Sequence, residues 1–260
     1  MIDAHCHLDF PIFENDRAEV VAKSIAAEVT QWHIPGTQLQ SWAHQIRTAK
    51  QWSADFSLGL HPYFLSSFEA SHLSQLARLL QNEQSQVCGV GEIGLDGAID
   101  VDKAEQVKVF EAQLSIAQNA RLPVVIHHRK THSDILASLK KTQFNCGGLI
   151  HAFNGSESLA LDYINKGYIL GVGGLVTYPR GEKLRRVISR LPQSAIVLET
   201  DSPDMPISEY QGQRNEPCRL RIIAKVLADI WQVDLAEVSR ITSENYFRVF
   251  TQSVLSQTTG

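Results

Sequence analysis

The stretch Ile2-Asp3-Ala4-His5-Cys6-His7 passes from a short apolar start into two histidines one residue apart. Side chains alternate along an extended strand, so His5 and His7 face one way and Cys6 the other. Asp3 shares the face of the two imidazoles and is a candidate acceptor supporting them. A strand over residues 2–5 is therefore predicted to deliver a pair of imidazoles at its C-terminal end.

The same shape recurs down the chain. Glu92 ends the run 87–92, His127 ends 123–127, His151 ends 148–151, and Asp201 follows 196–200. Further short runs at 32–35, 56–60 and 168–172 complete eight predicted strands. Longer stretches of helical period separate them, the clearest over Lys103–Ala120, where Val107, Phe110, Leu114 and Ala117 fall on one stripe. Asp102 stands before it as N-cap, with Glu105 three residues on. Pro217 before 218–230 and Ser243 before 244–250 predict two more helix starts. Eight strands alternating with helices predict an α/β fold, a β/α barrel of TIM type, as a single domain over residues 1–260.

Composition agrees with that class. Hydrophobic residues make up 43% and charged residues 20%, ordinary for a globular chain of 260 residues. No apolar run reaches the roughly 18 residues of a membrane span. Met1 and Ile2 lead directly into the histidine pair without a basic head or apolar leader, so the expected location is the cytoplasm. Cys6, Cys88, Cys146 and Cys218 lack CxxC spacing and are read as small buried residues. A net charge of −4 excludes general attraction of nucleic acid to the whole surface, so a polyanionic substrate has to be drawn to a local site.

In a β/α barrel the C-terminal strand ends converge on one rim. Six side chains able to bind metal, His5, His7, Glu92, His127, His151 and Asp201, would then meet there. Each alone has an ordinary structural explanation; it is the joint pattern that points to a metal site. His61 ends a strand on the inner side, while His128 alternates outward. His33, His44, His72 and His132 are read as surface or packing positions.

The motifs, in order, resemble the TatD family of metal-dependent deoxyribonucleases. They are Asp3-Ala4-His5-Cys6-His7-Leu8-Asp9, Gly59-Leu60-His61-Pro62, Gly91-Glu92-Ile93-Gly94-Leu95-Asp96, Pro123-Val124-Val125-Ile126-His127, His151-Ala152-Phe153-Asn154-Gly155-Ser156 and Glu199-Thr200-Asp201-Ser202-Pro203. Gly171-Val172-Gly173-Gly174, Thr177-Tyr178-Pro179-Arg180 and Pro203-Asp204-Met205-Pro206 look like the YjjV branch. The resemblance implies two divalent cations (zinc, manganese or magnesium). His5, His7, Glu92 and Asp201 would hold one; Glu92, His127 and His151 would hold the other. It implies hydrolysis of a phosphodiester, with DNA or a small diester as substrate and no obligate protein partner or membrane.

Asp201 is the expected base that takes a proton from water. His61, Arg129 and Arg214 are expected to contact substrate, with Arg180 as a further phosphate candidate and Tyr178 as a stacking one. The loop 202–216 is expected to shape specificity. A carboxylic ester or amide, an aminoacyl ester included, is the alternative substrate for the same chemistry, and a barrel that binds metal without turnover is the third reading. Two carboxylates set against two divalent ions leave an expected site charge of about +2, which suits an anionic diester.

Overall fold

The structure is a computed structural model and describes residues 1–82 and 86–250. The last ten residues of the expected 1–260 domain lie outside that range. Its strands are β1 (Ile2–Asp3), β2 (Gln31–Pro35), β3 (Asp55–Leu58), β4 (Val87–Asp96), β5 (Val124–Arg129), β6 (Gly148–Ile150), β7 (Tyr168–Val172) and β8 (Ile196–Leu198). They pair in chain order and in parallel. Ala4 N donates to Leu198 O and Asp201 N to His5 O, each at 2.9 Å, so backbone bonds also join the first and last strands. The sheet curls into a nearly closed barrel.

Around it lie α1 (Arg17–Ala26), α2 (Leu39–Trp52), α3 (Ala70–Asn82), α4 (Lys103–Ala120), α5 (His132–Thr142), α6 (Glu157–Ile164), α7 (Glu182–Ile188), α8 (Leu220–Trp231) and α9 (Leu235–Phe250). The predicted α4 starts where its cap requires, with Asp102 Oδ1 accepting from Glu105 N at 2.9 Å. Pro217 opens a 3-10 turn that runs into α8, whose buried Leu220, Ile223, Ala224 and Leu227 form one stripe against the barrel.

Strand alternation sorts the interior into two layers. Val124, Ile126, Ile150, Leu170, Ile196 and Leu198 join the large core beneath the helices. Val125, Leu149, Ile169 and Val197, one residue out of phase, join a second cluster with Tyr246 and Phe250 of α9. That second cluster fills the barrel, and α9 closes its lower end. Two steps beyond Val125, Leu149 and Val197 come His127, His151 and Glu199, so the residues above the lumen core are chemical rather than apolar.

Several expectations need correction. The ladder of β1 ends at Asp3, two residues short of the predicted strand. The chain nevertheless stays extended, because Cys6 N bonds His33 O at 3.1 Å and His7 N bonds Ser202 O at 2.8 Å. β4 runs past Glu92 to Asp96, with a register shift between Val90 and Ile93, so Glu92 sits within the strand. Ser243 starts no helix: α9 is already under way, begun at Asp234, whose Oδ1 accepts from Glu237 N at 2.8 Å. Cys6 and Cys88 are buried as expected, while Cys146 and Cys218 are only half-buried; all are free.

His33 is neither a surface residue nor a simple packing residue. Fully buried on β2, it lies 3.0 Å from Tyr246 Oη through Nδ1 and 2.9 Å from Ser57 Oγ through Nε2. Tyr246 donates onward to Asp55 at 2.9 Å.

Candidate metal centre

The six residues come from the ends of five strands, His5 and His7 sharing one, and meet at one end of the barrel. Glu92 is their hub. Its Oε2 lies 3.3 Å from His5 Nε2 and 3.5 Å from His7 Nε2. Its Oε1 lies 3.1 Å from His127 Nδ1 and 3.4 Å from His61 Nε2. Asp201 faces the same group from β8's end, with Oδ1 3.5 Å from His5 Nε2 and Oδ2 3.7 Å from His151 Nε2. The His5 and His151 rings stack with centroids 3.7 Å apart.

The donor set fits metal ions. His5 is fully buried, and its Nε2 makes no hydrogen bond although two carboxylates lie near it. A buried polar atom left without a partner is costly, and a coordinated cation would satisfy it. Donor atoms of His5, His7 and Asp201 lie within 4.8 Å of one another, as do those of His5, Glu92 and His151, and of His61, Glu92 and His127.

Electrostatics point the same way. Burial alone would raise Glu92, but the imidazoles of His61, His5 and His127 outweigh it and hold the carboxyl well below its usual range. Burial opposes a charge on His151 as well, yet Glu199 and Asp201 beside it push its pKa up to about 10. Burial pushes Asp201 up to about 6, against the pull of His151 and His7. The carboxylates gathered around these buried imidazoles favour positive charge at this place.

Two further carboxylates, not singled out from sequence, lie against the outer nitrogens of His127 and His151. His127 Nε2 bonds Asp96 Oδ2 at 3.1 Å, so its Nδ1 is the nitrogen turned toward Glu92. Burial would raise Asp96, but that bond and the nearby charges of His127 and Arg129 hold it below its usual value. Glu199 is fully buried, with Oε1 3.1 Å from His151 Nδ1 and accepting from Ala152 N at 2.6 Å. Room for Glu199 comes from Gly171, where an added Cβ would lie 2.1 Å from Glu199 Oε2. Both acids stand inside quoted motifs, and the signal that could have found them is parity: Glu199 is two residues before Asp201, and Asp96 lies four after Glu92.

Asp3 is fully buried and lies lower. It accepts from Thr200 N at 2.9 Å, from the Thr200 hydroxyl at 2.5 Å and from His5 N at 3.4 Å, holding Thr200 and backbone rather than an imidazole ring. Counting Asp96, Glu199 and the exposed Asp204 near the mouth removes the surplus positive charge expected of the site.

The expected substrate residues separate. His61 lines the cleft over the cluster, and its Nδ1 accepts from Tyr63 N at 3.1 Å. The neutral ring therefore carries its proton on Nε2, facing inward as a donor. Arg129 is exposed at the end of β5 and does not line the cleft. Arg214 is committed elsewhere: it forks onto Asp16 at 3.0 and 2.6 Å, bonds Glu216 at 3.0 Å and lies over the Phe13 ring. It ties the loop after β8 to the segment before α1, because a guanidinium between two carboxylates has its best partners there. Arg180 lies over the Tyr178 ring, 4.7 Å from the centroid, and Tyr178 donates to Pro206 O at 2.8 Å. That pair braces the 202–216 loop rather than entering the cleft. His128 faces His132, with centroids 4.1 Å apart, away from Glu92.

Comparison with known proteins agrees with this arrangement. The family model for TatD related DNase matches residues 2–251. The metal-dependent hydrolase YjjV of Escherichia coli K12 is 35% identical over 251 residues, covering 96% of this chain and 97% of that one. A metal-dependent hydrolase of Haemophilus influenzae is 40% identical over 200 residues, covering 75% and 76%. The crystal structure of E. coli YjjV superposes with a TM-score of 0.92, covering 96% of this chain and 98% of that one. With its acids and imidazoles gathered at the barrel mouth and this likeness along nearly its whole length, the chain belongs to the TatD family and is a metal-dependent hydrolase.

Proposed function

We propose that the chain is a two-metal phosphodiesterase acting on DNA. The observation that carries the reading is the division of Glu92: Oε2 faces His5 and His7, while Oε1 faces His127. A carboxylate so placed suits sharing between two ions. His5, His7, Glu92 and Asp201 would hold one, and Glu92, His127 and His151 the other. Imidazole-rich sites favour zinc or manganese over magnesium on intrinsic grounds.

Bound divalent ions supply Lewis acidity, lowering the pKa of water from ~15.7 toward roughly 7 and polarising a phosphoryl oxygen. The protein supplies the rest. The Asp201 carboxylate, next to His5 and His151, accepts the proton of the attacking water. His61 Nε2–H donates to a phosphoryl oxygen. Asp96 and Glu199 fix which nitrogen of His127 and His151 faces the centre.

The test is a panel of single-stranded DNA, a simple phosphodiester and carboxylic esters, each assayed with added zinc or manganese and with chelator. Metal-dependent cleavage of the phosphodiesters is expected. Esters turned over at higher kcat/KM than any phosphodiester would replace this reading with an esterase.

A further inference from the structure

The cleft above the cluster measures about 410 Å³, and its walls are unequal. On the arc of β1 to β3 stand Phe10, Tyr63 and Phe64; elsewhere on the rim stand Asp96, Ala152, Asp204 and Met205. Phe10 stacks on the His7 ring, with centroids 4.4 Å apart and planes at 21°. Tyr63 and Phe64 follow directly on His61-Pro62 and meet edge to face at 5.2 Å. Tyr63 is 63% exposed, so its ring face is open to a planar partner. Among the described residues lining this cleft there is no lysine or arginine.

We infer that Phe10, Tyr63 and Phe64 form a stacking subsite for one nucleobase beside the phosphoryl position, and that the cleft engages a single phosphodiester rather than a tract of nucleic acid. This rests on the phosphodiesterase reading and deepens it. A surface that follows a polyanion needs a line of cations, whereas this mouth offers aromatic rings and an exposed carboxylate, Asp204. Affinity then comes from the reacting phosphate and one planar ring. The His61 ring lies 6.1 Å from that of Phe64, so base and phosphate would be held by neighbouring residues of one turn. The exposed Asp204 carboxylate at the mouth disfavours further phosphates there.

The metal-loaded enzyme is assayed on a dinucleotide, its abasic counterpart and a 15-nucleotide single strand across a salt series. The expected result is kcat/KM for the dinucleotide within a few-fold of the strand, and a log–log salt slope no steeper than about −1, the value for one or so phosphates. Tyr63→Ala should collapse the KM advantage of the dinucleotide over its abasic counterpart, a loss of roughly 5- to 150-fold, and Tyr63→Phe should restore it. A strand strongly preferred with a steep salt slope, or an advantage that Tyr63→Ala leaves intact, overturns the subsite. Titration of the same metal-loaded protein with a mononucleotide and with inorganic phosphate separates the two ideas. Tighter binding of the mononucleotide, lost in Tyr63→Ala, with no diester cleaved, upholds the subsite and rejects the phosphodiesterase reading; equal binding rejects the subsite whatever is cleaved.

Discussion

At the scale of single residues, the site divides into side chains that face one another across the cluster and acids that lie behind the imidazoles. Asp201→Asn keeps the shape and removes the proton acceptor, so kcat should fall by roughly 10²- to 10⁴-fold with the far-ultraviolet circular dichroism unchanged. Full turnover in that variant would remove Asp201 from its role as base. Asp96→Asn and Glu199→Gln act through His127 and His151, and each should weaken metal binding about 10- to 100-fold, measured by competition with a chromophoric chelator. Gly171→Ala offers an independent check, because its Cβ would meet Glu199 Oε2 at 2.1 Å and displace the carboxylate. It should match the Glu199 variant in metal affinity. Normal affinity in Gly171→Ala would show that the Glu199 position is not what orients His151.

At the scale of elements, α9 does the work of a floor. Tyr246 and Phe250 cap the lumen, and the Tyr246 hydroxyl stands between His33 and Asp55. Tyr246→Phe strips partners from both and should cost about 1–3 kcal/mol in chemical denaturation, since buried polar groups are left unmet. His33 also sets a pH dependence. Burial holds its folded pKa at about 3, against 6.5 when exposed. Below pH 6.5 the unfolded chain takes up a proton there that the native state refuses, so stability is lost as pH falls from about 6.5 toward 3. This group alone contributes a slope approaching 1.4 kcal/mol per pH unit, or about one proton. Urea denaturation at several pH values from 7 to about 4.5 should show that slope reduced by about one proton in His33→Asn; parallel curves would count against it.

At the scale of the whole molecule, the centre joins strands from both halves of the chain, His5 and His7 near the start and Asp201 near the end. Ions bound there should therefore stabilise the entire barrel. At metal concentrations 100-fold above Kd the gain is about 2.7 kcal/mol, which for a chain of this size raises Tm by roughly 5–10 °C over the chelated protein. Differential scanning fluorimetry with zinc, manganese or chelator measures it, and Asp201→Asn should show a smaller rise. A Tm indifferent to every divalent ion tried would count against a resident metal. No helix among the described residues is long and apolar enough to cross a membrane.

The barrel and the meeting of six side chains were legible in sequence because both follow from local rules. Alternation along a strand decides which side of the sheet a residue faces, and parallel strands in a closed barrel bring their C-terminal ends to one rim. His127 and His151 could thus be placed from Val125 and Leu149 two residues earlier. Partner choice follows no local rule. That Arg214 is held by Asp16 instead of a phosphate, that Asp96 and Glu199 back the imidazoles, and that His33 finds Tyr246 some 213 residues away were decided by tertiary packing alone. Periodicity along one segment encodes which way a side chain points, whereas what it meets depends on segments distant in the chain, and only the folded backbone brings them within bonding range.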